Sequence, residues 1–338
     1  MMSESSRRIY IRNASLVASA AFLAATTACG AEAGSTGSAT GGSSGGAPSV
    51  SADGKPGVTA AMYPLQWLAE KVAGADAAVT GLTEPGVEPH DLELSPAQVA
   101  GLSETRLVVY IKGVQPAVDE AVEQHAADRG FDVATSVTTL PATEEEHAEE
   151  EGHAEEEGHE GEEHAHEVEY DPHLWLDPSR FATVAKQLGE KLAAVDPAHA
   201  SAYRSRAALA ATDLTTLDGE LTKGLATCAS RSIVTNHSAF GYLAGRYKLQ
   251  QIGISGLDPD AEPSPARLAE VAKVAKEQKV TTIFTETLVS PKVAEILAQE
   301  VGAKTAVLDP VESRPESGDY LSAMRQNLTT LQAALRCS

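Results

Sequence analysis

The sequence predicts an α/β protein: two similar lobes, each a parallel sheet flanked by helices, joined by a long rigid helix. Three observations predict it. From about residue 56, short apolar β-type runs alternate with amphipathic segments, the rhythm of strands crossed over by helices. After residue 180 this gives way to a helical stretch reaching about residue 228. The β/α rhythm then resumes to the C-terminus, and 338 residues suffice for two such cores.

Taken in order, residues 1–28 read as a secretory signal, with the basic start "SSRRIYIRN", the apolar run "ASLVASAAFLAA" and the small-residue close "TTAC". The run "SRRIYIR" also resembles a twin-arginine export signal, so the export route stays open. Cys29 stands where a lipoprotein carries its acylated cysteine, although Thr26 replaces the usual leucine three positions before it. The Gly/Ser/Ala-rich residues 29–54 form a flexible tether, which an anchored Cys29 would explain. Localisation is therefore expected outside the cytoplasm, on the outer face of the cytoplasmic membrane.

Residues 55–180 are the expected N-terminal lobe. "GVTAAMY" leads into the helix "PLQWLAEKVAG", where Leu65, Leu68 and Val72 recur at helical spacing. "AAVTGL", "RLVVYI" and "FDVATSV" read as strands, and "SPAQVAGLSET" and "PAVDEAVEQHAAD" as helices. Within this lobe, residues 142–169 form an acidic, His-rich loop with little apolar to pack, whose ordering would cost entropy with little burial. The tract from Glu144 to Glu169 holds fourteen glutamates and no Asp, Lys or Arg, so the net charge of −22 falls to −8 outside it. The acidity is local, and with no basic stripe a nucleic-acid partner is not expected.

Residues 181–228 hold two helices, "FATVAKQLGEKLAAV" and the long "AHASAYRSRAALAATDLTTLDGELTKGL", separated by Asp196-Pro197. Residues 229–338 are the C-terminal lobe, with strands at "SIVTN", "LQQIGI", "TTIFTE" and "TAVLDP" and a last helix ending near Arg336. Cys228 and Cys337, the cysteines left besides Cys29 in an exported chain, suggest a disulfide closing a large loop.

Ligands of open α/β sheets bind beyond the carboxyl ends of the strands. His237 follows "SIVTN" and Asp309 follows "TAVL"; His90 lies in the proline-rich "EPGVEPHD" and His173 in "EYDPHLWLDP". Three imidazoles and a carboxylate suit tetrahedral zinc, at about 2.0–2.1 Å per nitrogen, and leave no position for a catalytic water. There is no H-E-x-x-H, and an enzyme is not expected.

The segments "GVEPHDLELSPAQVAGLSETRLVVYIKGVQPAVDEAV", "DPHLWLDP", "NHSAFGYLAGRYKLQQIGISGLDPDAEPSPARLAEV" and "IFTETLVSPKVAEILAQEVGAKTAVLDP" resemble, in the same order, the metal-binding solute-binding proteins of ABC transporters. The resemblance runs from about residue 56 to the C-terminus, broken by the acidic tract. It implies a zinc receptor with ligands His90, His173, His237 and Asp309 in the interlobe cleft. It implies as partners a membrane permease with its cytoplasmic ATPase, and a monomer held to the membrane by a lipid anchor. Manganese members typically carry glutamate at the third ligand, so His237 favours zinc; a manganese or iron receptor, or a surface zinc buffer or adhesin, are the alternatives. Zinc members often insert a His-rich loop before the second ligand, where His147, His153, His159, His164 and His166 form an accessory, zinc-capturing site. Glu286 is a candidate for orienting a ligand imidazole, as are Glu88 and Asp171 beside their histidines. His125 and His199 read as exposed and unrelated, and Trp67 and Trp175 as packing residues.

Overall fold

The computed structural model describes residues 54–142 and 170–338. The leader, Cys29, the tether and the five histidines of the acidic tract lie outside the described residues.

The N-terminal lobe begins with β1 (Gly57–Ala60), α1 (Tyr63–Ala73), β2 (Ala78–Gly81), α2 (Pro96–Glu104), β3 (Leu107–Tyr110), α3 (Pro116–His125) and β4 (Gly130–Asp132). Its four strands are parallel in the order β2-β1-β3-β4. The expected strand "FDVATSV" is shorter than its apolar pattern suggests. Asp132 accepts the Ala134 N–H at 3.0 Å and turns Val133–Ser136 into a 3-10 helix. A two-residue antiparallel pair, β5 (Leu140–Pro141) with β6 (Tyr170–Asp171), closes the base of the acidic tract.

Two helices follow, α4 (Pro178–Val195) and α5 (Ala200–Gly224). At 25 residues, α5 spans roughly 37 Å at ~1.5 Å per residue. Its N-terminal half serves the first lobe: the Arg206 guanidinium donates to the Val72 and Ala73 carbonyls, both at 2.7 Å, capping the end of α1. Its C-terminal half serves the second, where Asp218 accepts from Arg246 at 2.8 and 2.6 Å and from the Tyr247 hydroxyl at 3.0 Å.

The second lobe comprises β7 (Ser232–Thr235), α6 (Gly241–Tyr247), β8 (Gln250–Gly253), α7 (Pro265–Glu277), β9 (Thr282–Thr285), α8 (Lys292–Val301), β10 (Lys304–Val307) and α9 (Tyr320–Leu335). Its parallel order, β10-β9-β7-β8, is that of the first sheet, with β7 answering to β1 and β8 to β2. Alternation along the strands covers both faces. Ile233 and Phe284 join a large core that continues into the first lobe, while Val234 and Ile283 join a separate core under α7 and α8. Because the large core belongs to both lobes, their wide separation would expose much apolar surface. A disulfide between Cys228 and Cys337, 109 positions apart, ties the end of α9 to the chain just after α5.

The pair α4–α5 packs backbone against backbone. A Cβ on Gly189 would lie 2.5 Å from Ala207 Cβ, which has no rotamer to escape by. Gly189→Ala is therefore expected to lower unfolding free energy by about 1–3 kcal/mol in a denaturant titration.

Candidate metal centre

Four loops bring one side chain each to a single point. His90 comes from the loop between β2 and α2, and His173 from the turn between β6 and the 3-10 segment Leu174–Leu176. His237 follows β7 directly, and Glu312 lies in the loop after β10. One ligand atom from each lies within 4.8 Å of the others. Glu312 Oε1 stands 3.6 Å from His90 Nε2, 3.6 Å from His173 Nε2 and 3.8 Å from His237 Nε2. All four atoms are buried without a hydrogen-bond partner. Buried polar atoms are rarely left so, and four together form a cavity lined by lone pairs that a divalent cation satisfies.

Each fully buried imidazole is oriented from behind. His173 Nδ1 lies 2.8 Å from Asp171 Oδ1, which also accepts the His173 backbone N–H at 2.9 Å. His237 Nδ1 lies 2.7 Å from Glu286 Oε2, while Glu286 Oε1 accepts the His237 N–H at 3.1 Å. A carboxylate at Nδ1 fixes the proton there and turns the Nε2 lone pair into the cluster. Trp175 packs against His173 with ring centroids 5.2 Å apart and donates from Nε1 to the Pro310 carbonyl at 2.7 Å. It thereby joins the His173 turn to the loop bearing Glu312.

The two imidazoles differ in charge. Burial, reinforced by His237 and His90, holds His173 well below the usual histidine range. Burial also opposes charge on His237, but Glu286 at its Nδ1, with Glu312 and Glu88 nearby, outweighs this and lifts it to about 9. At neutral pH the cation-free cluster therefore carries a proton on His237. Coordination requires the neutral ring, so an entering cation must displace that proton. Zinc uptake at pH 7 should release about one proton, with affinity rising ~tenfold per pH unit toward pH 9 and levelling above it. Calorimetry in buffers of different ionisation enthalpy measures that count.

Of the sequence-predicted residues, the structure brings His90, His173 and His237 together and leaves Asp309 out. Asp309 Oδ1 accepts the Val311 N–H at 2.7 Å, and its backbone is clasped by Asn327, whose Oδ1 accepts its N–H at 3.0 Å. This turn holds Val311 at φ 61°, an unusual backbone for a β-branched residue, and delivers Glu312 to the cluster. Asp309 thus forms the turn, and Glu312 rather than Asp309 completes the group of side chains that could hold a metal ion. Sequence reasoning missed Glu312, because in "LDPVE" two carboxylates compete and the backbone turn at Val311 decides which one is taken up. His125 and His199 are exposed and outside the cluster. Trp67 is buried and packs against Tyr320, with tilted rings 4.8 Å apart.

Residues 58–334 match the family described as zinc-uptake complex component A, periplasmic. The zinc-binding lipoprotein AdcA of Streptococcus pneumoniae (strain ATCC BAA-255 / R6) is 36% identical over 290 residues, 83% of this chain and 56% of that protein. The chain thus spans little more than half the length of that relative. The high-affinity zinc uptake system protein ZnuA of Bacillus subtilis (strain 168) is 35% identical over 292 residues, covering 82% of this chain and 87% of that one. Among solved structures, the laminin-binding protein Lmb of Streptococcus agalactiae, described as a bifunctional protein with adhesin and metal transporting activity, superposes with TM-score 0.71 at 29% identity, over 83% of this chain and 99% of that one. Zn(II)-bound AdcA from Streptococcus pneumoniae superposes with TM-score 0.67 at 32% identity, over 83% of this chain and 58% of that one.

Proposed function

We propose that this chain, which belongs to the family of zinc-uptake complex component A, is an extracytoplasmic receptor that holds one Zn²⁺ on His90, His173, His237 and Glu312. It hands the ion to a membrane permease driven by a cytoplasmic ATPase. The observation that carries this reading is the convergence of four buried, unpartnered donor atoms, three of them imidazole nitrogens. Nitrogen-rich fourfold coordination suits zinc over manganese, and a full shell of protein ligands favours holding an ion over activating a water on it. Among the described residues no helix is long and apolar enough to cross a membrane. The lipidated Cys29 and its tether supply the attachment, and the chain acts as a monomer. The domain limits are those of the sequence: leader 1–28, tether 29–54, lobes 55–180 and 229–338, helices 181–228. The histidines at 147, 153, 159, 164 and 166 gather zinc near the site.

Accumulation of radioactive zinc by the host at submicromolar supply tests this. Deleting the gene should abolish high-affinity uptake, and a copy lacking the four donors should not restore it. Normal uptake without the chain would leave a surface buffer or adhesin as its role.

A further inference from the structure

The loop that bears His90 carries a second donor outside the cluster. Glu88 Oε1 accepts the His90 backbone N–H at 3.3 Å, which fixes the carboxylate beside that residue. Its Oε2 is shielded from solvent and has no hydrogen-bond partner. Burial acts most strongly on the Glu88 carboxyl, followed by the charges of Glu312, His90 and His237, so the carboxylate lies within electrostatic reach of the cluster. The second lobe repeats the pattern at the equivalent place. After β8, Asp258-Pro259-Asp260 precedes the capping Ser264-Pro265 of α7, as Glu88-Pro89-His90 precedes the capping Ser95-Pro96 of α2. A carboxylate, a proline and a second donor thus form a unit of this loop type.

The four donors of the cluster differ in depth. The His90 side chain is 11% exposed, against 0% for His173 and His237 and 1% for Glu312. The three deeper donors are held from behind by Asp171, Glu286 and the Asp309 turn. At the tip of the β2–α2 loop the Gly86 N–H donates to Ser313 Oγ of the other lobe at 2.7 Å, a tie that displacement of the loop must break. The His90 side is thus the shallow side of the cluster, and any displacement of its loop takes Glu88 with it.

We propose, building on the receptor reading above, that Glu88 is a transfer ligand. Its Oε2 holds the cation together with His90 Nε2 while the loop is displaced, before the deeper donors engage on entry and after they release on exit. Each exchange replaces one lone-pair donor on the cation by another and moves no electron between residues. Two donors on one short loop keep the ion partly coordinated during passage, lowering the barrier both ways.

Glu88→Gln tests this, because the amide oxygen still accepts the His90 N–H but binds zinc poorly. In stopped-flow experiments on the full chain with Zn²⁺, capture and chelator-driven stripping should both slow by about tenfold. Glu88→Asp should restore much of both rates. Unchanged rates in Glu88→Gln would reduce Glu88 to a brace for the loop. Faster stripping with unchanged capture would make it a resident ligand or a neighbouring charge. Any result in which the two rates do not fall together overturns the proposal. A wild-type chain that takes up no tight zinc would instead fail the receptor reading, before any variant is compared.

Discussion

Replacing Glu312 by glutamine should weaken zinc binding by about 100–1000-fold. A four-ligand zinc site holds its ion with ~10–16 kcal/mol, so one ligand accounts for about 3–4 kcal/mol. Glutamine fills the same volume but removes the charge facing three imidazoles at 3.6–3.8 Å. The contrast is Asp309→Asn, for which a loss of about tenfold or less is expected. Asparagine keeps the carbonyl that accepts the Val311 N–H, so the turn and the position of Glu312 survive. Competition against a chelator of known affinity ranks the two. A larger loss at Asp309 would make it the ligand and Glu312 its support.

Exchanging Cys228 and Cys337 together for serine should lower stability by about 3–5 kcal/mol and the melting temperature by ~10 °C. The disulfide closes a loop of 109 positions, which contains the whole second sheet, so its loss frees a large unfolded ensemble. It also fastens the end of α9, whose Tyr320 at the other end donates to the Trp175 carbonyl at 2.5 Å. Neither cysteine touches Asp171, Glu286 or the Asp309 turn, so zinc affinity at 25 °C should change little. Differential scanning calorimetry with and without reductant reads the effect.

The elements were legible where periodicity is strong. The "RLVVYI" run is a buried strand because both faces of a parallel sheet are covered, and α5 is legible because no proline or capping glycine interrupts it. His90 and His237 were legible because residues after parallel strands gather at one edge of a sheet, and His173 because it sits in a proline-stiffened turn of "DPHLWLDP". Glu312 was not, because the choice between two carboxylates three positions apart depends on which one spends its oxygen on the backbone. That is decided by the turn at Val311, a local geometry that spacing does not encode. Glu286 and Asp171 were legible as candidates only; their partnership with His237 and His173 depends on ring orientation in the packed loops. Sequence separation hid the Trp175 bond to Pro310, 135 positions away, which joins two of the site's loops.

The most direct measurement is a calorimetric zinc titration of the protein without residues 1–29, repeated on a version also lacking residues 144–169. One tight equivalent should survive removal of the acidic tract, with manganese far weaker in both. If tight binding disappears with the tract, the four buried donors are not the receptor site and the histidines of that tract are.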